Sequence, residues 1–291
     1  MVRFTVGVMR PRFTDRCVFG LASMQEVDTA REPLAEWIGW VGRHARLALS
    51  TRFETSYESL ARRIRDGEID VAWLPPVVYV MLERAGVVDA MVSNHRAGQA
   101  AFHGVLLVRS EEPVHTLDGL RGMRAAWVDP LSASGYVIPR IQLALLGVDP
   151  RTTFREERFV GSHDAAVRAV AKGEADVAAT FARVDGAGNV TSGSWSALRD
   201  VRADVRVFWT FDAIPSDVIA ARKGYPDELR ERLTDALVAS TRDAQAAKRA
   251  RRLFGVEEFR RGHMKSYSSL RRAIEKASAG SLIDELRLAS L

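Results

Sequence analysis

Residues 56–73 read Ser-Tyr-Glu-Ser-Leu-Ala-Arg-Arg-Ile-Arg-Asp-Gly-Glu-Ile-Asp-Val-Ala-Trp. They return at 162–179 as Ser-His-Asp-Ala-Ala-Val-Arg-Ala-Val-Ala-Lys-Gly-Glu-Ala-Asp-Val-Ala-Ala, aligned without a gap. Each copy opens on a serine suited to cap a helix, continues as an amphipathic stretch and ends with Gly-Glu-x-Asp-Val-Ala entering an apolar strand. One αβ unit used twice implies two similar lobes with a cleft between them. Tyr57 and His163 occupy equivalent places at the start of each helix, where a ligand clamped between lobes would be met. The same pattern is also a common way to end a helix and begin a buried strand.

At 291 residues the chain has room for two domains. A content of 47% hydrophobic and 27% charged residues is that of a globular protein. No apolar run approaches the ~20 residues of a membrane span. The single cysteine, Cys17, excludes an internal disulfide and gives no support to a metal cluster; neither a metal nor a cofactor is expected. The formal charge of +5 suits an anionic ligand or a polyanion. The densest basic cluster, Lys248-Arg249-Ala250-Arg251-Arg252, reads as a solvated helix face without a nucleic-acid motif, so no nucleic acid is expected as a partner. Residues 3–9 read as a strand, with no charged and then apolar export signal before them. The expectation is either work in the cytoplasm or a leader outside this sequence.

Strand-like and helical runs alternate, which implies an α/β architecture with mostly parallel sheets. The first lobe is read as strand 3–9, a helix near 30–45 with Leu34, Trp37, Ile38 and Val41 on one face, a strand near 46–53, the first repeat unit and a helix from Pro76 to Arg84. Val105–Val108 is a buried strand, and Leu117 to Gly122 a turn. The second lobe then holds strand 123–128, a helix from about 135, the second repeat unit, a surface loop at 186–189 and strand 205–211. Strand 217–221 returns the chain to the first lobe, and the remainder is read as helical. The lobes would be 1–104 with 213–291, and 105–212. Crossings near 103–109 and 209–216 would make a two-stranded hinge able to close on a ligand.

The most specific local signal is Trp127-Val128-Asp129-Pro130-Leu131-Ser132-Ala133-Ser134-Gly135-Tyr136: a strand, a loop with two hydroxyls, then a helix. The first amides of a helix lack internal partners and carry partial positive charge. Small residues let an anion approach them, and Ser132 and Ser134 add hydroxyl donors. A phosphoryl or phosphonyl group fits this cradle; an ordinary serine N-cap fits the same residues. It is not a Walker loop, which needs Gly-Lys-Ser/Thr.

Taken together, these segments resemble the phosphate, phosphite and phosphonate substrate-binding proteins of ABC transporters, which have the type II periplasmic-binding-protein fold. The resemblance rests on Asp70-Val71-Ala72-Trp73-Leu74-Pro75-Pro76, on Asp129-Pro130 with Ser132-Ala133-Ser134-Gly135-Tyr136 and Pro139, on Gly161-Ser162-His163-Asp164 leading to Asp176-Val177-Ala178, and on Pro215-Ser216-Asp217. These fall in the family's order over roughly residues 3–225. The resemblance implies a non-enzymatic binding protein for a small phosphorus oxyanion. It would act as a monomer and serve an ABC-transporter permease in the periplasm or cell envelope if exported. It implies that the Ser132-Ala133-Ser134-Gly135 turn grips the phosphonyl oxygens and that His163 donates from the same lobe. Tyr57 would donate from the opposite lobe, Asp217 would accept from a protonated ligand oxygen or an ammonium group, and Trp73 would border the site.

Three departures bear on the ligand. Ala133 stands where the family has a threonine, Phe102 where an aromatic hydroxyl is frequent, and Arg183 near an acidic residue of members that bind aminoalkyl phosphonates. Arg183 would repel an ammonium group and attract a carboxylate or a second phosphate; a solvent-facing loop residue is the other reading. Two further functions stay open: a cofactor-biosynthesis enzyme on the same scaffold and a cytoplasmic ligand-sensing module. Against the enzyme, Cys17 stands alone, and His44, His95, His103, His115 and His263 lie in no catalytic motif.

Overall fold

The computed structural model describes residues 15–22, 27–96, 98–262 and 267–279. The strand expected at 3–9 and His263 lie outside these residues. The strands are β1 (Arg16–Ala22), β2 (Ala48–Glu54), β3 (Val71–Leu74), β4 (Val88–His95), β5 (Ala101–Arg109), β6 (Arg124–Trp127), β7 (Glu156–Phe159), β8 (Val177–Val184), β9 (Val190–Gly193), β10 (Val205–Pro215), β11 (Val218–Arg222) and β12 (Glu258–Arg261). The helices are α1 (Val27–Ala45), α2 (Tyr57–Arg65), α3 (Pro76–Arg84), α4 (Ile138–Leu145), α5 (Pro150–Thr153), α6 (His163–Ala171), α7 (Asp227–Ser240), α8 (Ala244–Phe254) and α9 (Ser268–Ala279). Among the described residues, no helix is long and apolar enough to cross a membrane.

The repeated sequence folds twice in the same way. Ser56 caps α2 by accepting the Ser59 amide, and Ser162 caps α6 by accepting the Ala165 amide, both at 3.1 Å. Leu60, Ala61 and Ile64 are buried on α2, and their counterparts Ala166, Val167 and Val170 on α6. Gly67 and Gly173 follow at φ of +73° and +70°, a left-handed conformation that a glycine adopts without steric cost. The aspartate that closes each motif ties the new strand to its parallel neighbour in the sheet, β1 for β3 and β6 for β8. Asp70 accepts the Val18 amide, and Asp176 the Arg124 amide, both at 2.9 Å. Each aspartate's own amide donates back, to the Val18 carbonyl at 3.0 Å and the Arg124 carbonyl at 2.9 Å.

The duplication therefore extends beyond the αβ unit. Strands run β2-β1-β3 in one sheet and β7-β6-β8 in the other, each trio parallel. β11 then adds antiparallel to β3, and β4 antiparallel to β11. In the second sheet β5 adds antiparallel to β8, and β10 antiparallel to β5. With β12 on β4 and β9 on β8, four of the six described strands in each sheet run the same way. The architecture is the α/β, two-sheet one expected.

Burial follows the apolar pattern. Leu34, Trp37, Ile38 and Val41 of α1 are all buried on the first sheet, where the Trp37 ring meets Phe19 edge-on at 6.0 Å. Val105 to Val108 are fully buried, as a continuous apolar strand covered on both faces should be. One expectation fails: the C-terminal remainder is not all helix, since β12 forms an edge strand. Only Phe259 is apolar in its four residues, so neither a helical nor a strand period is readable there.

The chain passes between the sheets at 96–100 and 216–217. The segments expected to cross, near 103–109 and 209–216, belong largely to the second sheet, because β5 and β10 pair from Ala101 and Pro215 onward. The two connections lie side by side: the Ser216 amide donates to the Ala100 carbonyl at 2.9 Å and the Asn94 amide to the Asp217 carbonyl at 3.1 Å.

Candidate functional site

A cleft of about 660 Å³ opens between the two sheets, and nine of the ten expected ligand-contacting residues line it. They are Tyr57, Trp73, Phe102, Ser132, Ala133, Ser134, His163, Arg183 and Asp217. Gly135 stands behind the wall. A Cβ there would lie 2.4 Å from Val128 Cγ2 and 2.8 Å from Ser132 Oγ, so its lack of a side chain is what lets the turn pack on the strand.

The turn is built from its own short polar residues. The Asp129 carboxylate accepts the Leu131 amide at 2.7 Å, and the Ser132 amide bonds the Asp129 carbonyl at 2.9 Å. Burial, its largest influence, raises the Asp129 carboxyl above the ordinary range, with the Glu58 charge adding to it. Ser132 Oγ accepts the Gly135 amide at 3.1 Å, which is an N-cap. A wide π turn over Ala133–Val137 then runs straight into α4, with the Val137 amide donating to the Ser132 carbonyl at 2.9 Å. Capping and anion binding are therefore compatible: the Ser132 hydroxyl accepts within the turn and keeps its own proton to donate. The Ala133 and Ser134 amides open the helix, where no earlier helical carbonyl can reach them. Both residues are nearly inaccessible from bulk solvent.

Tyr57 and His163 are the first residues of α2 and α6, directly after their serine caps. The duplicated unit thus delivers one side chain to the cleft from each sheet. Burial, then the charges of Asp217 and Asp129, push the Tyr57 phenol well above its usual range, so it stays a hydrogen-bond donor. His163 Nδ1 lies 2.8 Å from Thr180 Oγ1, which donates to Ser194 Oγ at 2.8 Å. In that chain Nδ1 carries the proton and Nε2 is left as an acceptor while the ring is neutral. Burial lowers the His163 pKa to about 4, so the neutral ring dominates at pH 7. The ring packs edge-on against Phe181 at 5.0 Å.

Asp217 lies on the second connection between the sheets. Its carboxylate accepts from Arg96 Nη2 at 3.3 Å, and burial raises its pKa while Arg96 opposes the rise. Arg96 is fixed further by the Phe254 carbonyl at 2.6 Å and the Gly255 carbonyl at 3.1 Å. Trp73 stacks on Phe254, with centroids 4.5 Å apart and planes 15° apart. Phe102 meets Phe181 edge-on at 6.4 Å and offers no hydrogen bond. Arg183 is the penultimate residue of β8, half-buried at the cleft rather than in a loop.

Sequence reasoning missed Arg96, Phe181, Phe254 and Gly255, all of which line the cleft. Arg96 stands in no motif. Phe254 and Gly255 are the end and the C-cap of a helix more than 150 residues along the chain from Arg96 and Trp73, which they contact, and no local pattern signals that. Cys17 is buried away from the cleft, beside Tyr225, and burial pushes its thiol up to about 12. Among the described residues, no group of three or more His, Cys, Asp or Glu side chains is placed to hold a metal ion.

Comparison with known proteins identifies the family. A family profile described as "ABC transporter, phosphonate, periplasmic substrate-binding protein" matches residues 19–267. The phosphate-import protein PhnD of Mycolicibacterium smegmatis is 23% identical over 62% of this chain, and the phosphonates-binding periplasmic protein of Escherichia coli 22% identical over 75%. The matches span 57% and 64% of those two proteins. Among solved structures, a Xanthomonas citri protein bound to chloride superposes with a TM-score of 0.76 at 21% identity, covering 91% of this chain and 99% of its own. The same protein is also known bound to ATP. A Prochlorococcus marinus protein in complex with methylphosphonate gives 0.73 at 16% identity, covering 91% and 98%. At these identities the structural likeness establishes the fold.

Proposed function

Because the chain belongs to the phosphonate substrate-binding family of periplasmic ABC-transporter proteins, we propose that it is a non-catalytic receptor for a small phosphorus oxyanion, handed on to an ABC permease. The observation that carries this reading is the turn at 132–135: two open amides and two serine hydroxyls on one cleft wall, with Tyr57 on the other. Amides and hydroxyls are neutral donors, so they hold an oxyanion without a buried cation. Tyr57 donates from the opposite lobe, and Asp217, already oriented by Arg96, accepts from a protonated ligand oxygen. His163 Nε2 accepts from the same kind of oxygen, or donates once the ring is protonated.

A ligand touching both walls binds the closed arrangement better than the open one and so shifts the population toward closure. The lobes in this reading are 1–104 with 213–291, and 105–212, which the sheet memberships support to within a few residues. The receptor acts as a monomer. The phosphorus class is supported by the names of the Mycolicibacterium and Escherichia relatives and by the methylphosphonate held by the Prochlorococcus protein.

Calorimetry of the full chain with phosphate, phosphite and methylphosphonate tests the proposal. At least one binds, and Ser134→Ala weakens it by about tenfold or more, the worth of a hydrogen bond to a charged group. Failure of the intact protein to bind any of the three contradicts it.

A further inference from the structure

Resting on the phosphorus-oxyanion reading, we propose that Arg183 and Arg96 form a second anion subsite shared by the two lobes. The ligand is then a two-headed acid: a phosphonate or phosphate ester whose far end carries a carboxylate or a second phosphoryl group. The two guanidinium groups arrive from opposite sheets, Arg96 just after β4 and Arg183 from β8. They converge over Gly255. A Cβ on that residue would stand 3.1 Å from Arg96 Nε, 3.8 Å from Arg96 Nη2 and 3.7 Å from Arg183 Nη2. Gly255 is the left-handed C-cap of α8, at φ +63°, so a glycine suits the position twice: for its conformation and for the space it leaves.

Two cations held this close repel each other, and the fold compensates them unequally. Arg96 has the Asp217 carboxylate and two carbonyl oxygens. Arg183 forms no ion pair among the described residues, although the Glu257 charge acts on it from nearby. Burial and the charge of Arg96 both make it easier to deprotonate, the mark of a cation short of a counterion. A guanidinium presents five N–H donors in a planar fork that matches a carboxylate or phosphate in two-point contact. An anion at this place would relieve the repulsion and tie the lobes together. The cleft has space for such a ligand: at roughly 30 Å³ for each water-sized group, about 660 Å³ exceeds what a bare phosphonyl group fills.

The test is a calorimetric series on the full chain: methylphosphonate, phosphonoacetate, phosphonopropionate, phosphonobutyrate and aminoethylphosphonate. In the wild type, at least one of the carboxylates binds about ten- to a hundredfold more tightly than methylphosphonate, the worth of an added charge-assisted contact. Aminoethylphosphonate binds more weakly than methylphosphonate. In Arg183→Glu the order reverses, with the amine preferred over every carboxylate; Arg183→Gln lowers the carboxylate-to-methylphosphonate ratio without that reversal. Thermal unfolding of each variant shows whether it is folded. If methylphosphonate binds but no carboxylate binds better, or if both variants keep the wild-type ratio, the second subsite is refuted while the phosphorus reading stands. If none of the series binds the wild type, both readings fall.

Discussion

Asp70 and Asp176, placed identically in the two copies of the repeat, each accept a backbone amide of a neighbouring parallel strand at 2.9 Å. Arginine completes both arrangements. Arg222 Nε donates to Asp70 at 3.0 Å, and Arg124 reaches Asp176 through Nη2 at 2.7 Å and Nε at 3.1 Å. The Gly-Glu-x-Asp-Val motif is therefore a fastening device of the fold, and the cleft-facing part of each unit is at its other end, at Tyr57 and His163.

The Arg124 contacts hold the Asp176 carboxyl at about 2, below its ordinary 3.8. A carboxylate with a depressed folded-state pKa contributes stability that is present above about pH 4 and lost as pH falls through about 2. Asp176→Asn should cost about 1 kcal/mol at pH 7, solvent screening reducing the full electrostatic value, and flatten the acid limb of stability between those limits. Urea unfolding followed from pH 7 to pH 2 checks this. An unchanged acid limb would show that the carboxylate contributes nothing.

Ser132 and Ser134 should separate on substitution. Ser132→Ala removes a cap that accepts the Gly135 amide, costing about 1 kcal/mol of stability as well as weakening phosphonate binding. Ser134→Ala should weaken binding with little change in the unfolding midpoint. Gly135→Ala drives a methyl group to 2.4 Å from Val128 Cγ2 and should destabilise by about 1–3 kcal/mol, as overpacking does. Parallel denaturant titrations and calorimetry of the three variants distinguish these outcomes.

Proton uptake should accompany binding. His163, at about 4 in the free protein, gains affinity for a proton when an anion lies against Nε2. Between pH 4 and the raised value, binding takes up protons, and the uptake grows as pH falls from 7 toward 5. Calorimetry in two buffers of different ionisation enthalpy measures it. His163→Gln should abolish the uptake; its persistence in that variant would assign the proton elsewhere.

Much of this was legible in the residue order. The gapless repeat foretold two sheets with equivalent helices. The cap serines Ser56 and Ser162 placed Tyr57 and His163 where the cleft lies, and the small residues 132–135 marked the turn. What was hidden depends on approach in space. Nothing beside Arg96 shows that it will face Arg183, and nothing beside Phe254 shows that it will stack on Trp73. The edge strand β12 has one inward residue, too few for a period. The connections between sheets were displaced by a few residues because the continuous apolar run of β5 begins only at Val105, while its backbone pairing starts at Ala101.

The most direct measurement is amide NMR of the full chain titrated with methylphosphonate. If the turn is the oxyanion grip, the Ala133 and Ser134 amide protons move downfield together and saturably, at the dissociation constant found by calorimetry. Saturable binding that leaves both amides unmoved, with shifts confined to other surfaces, would contradict the account.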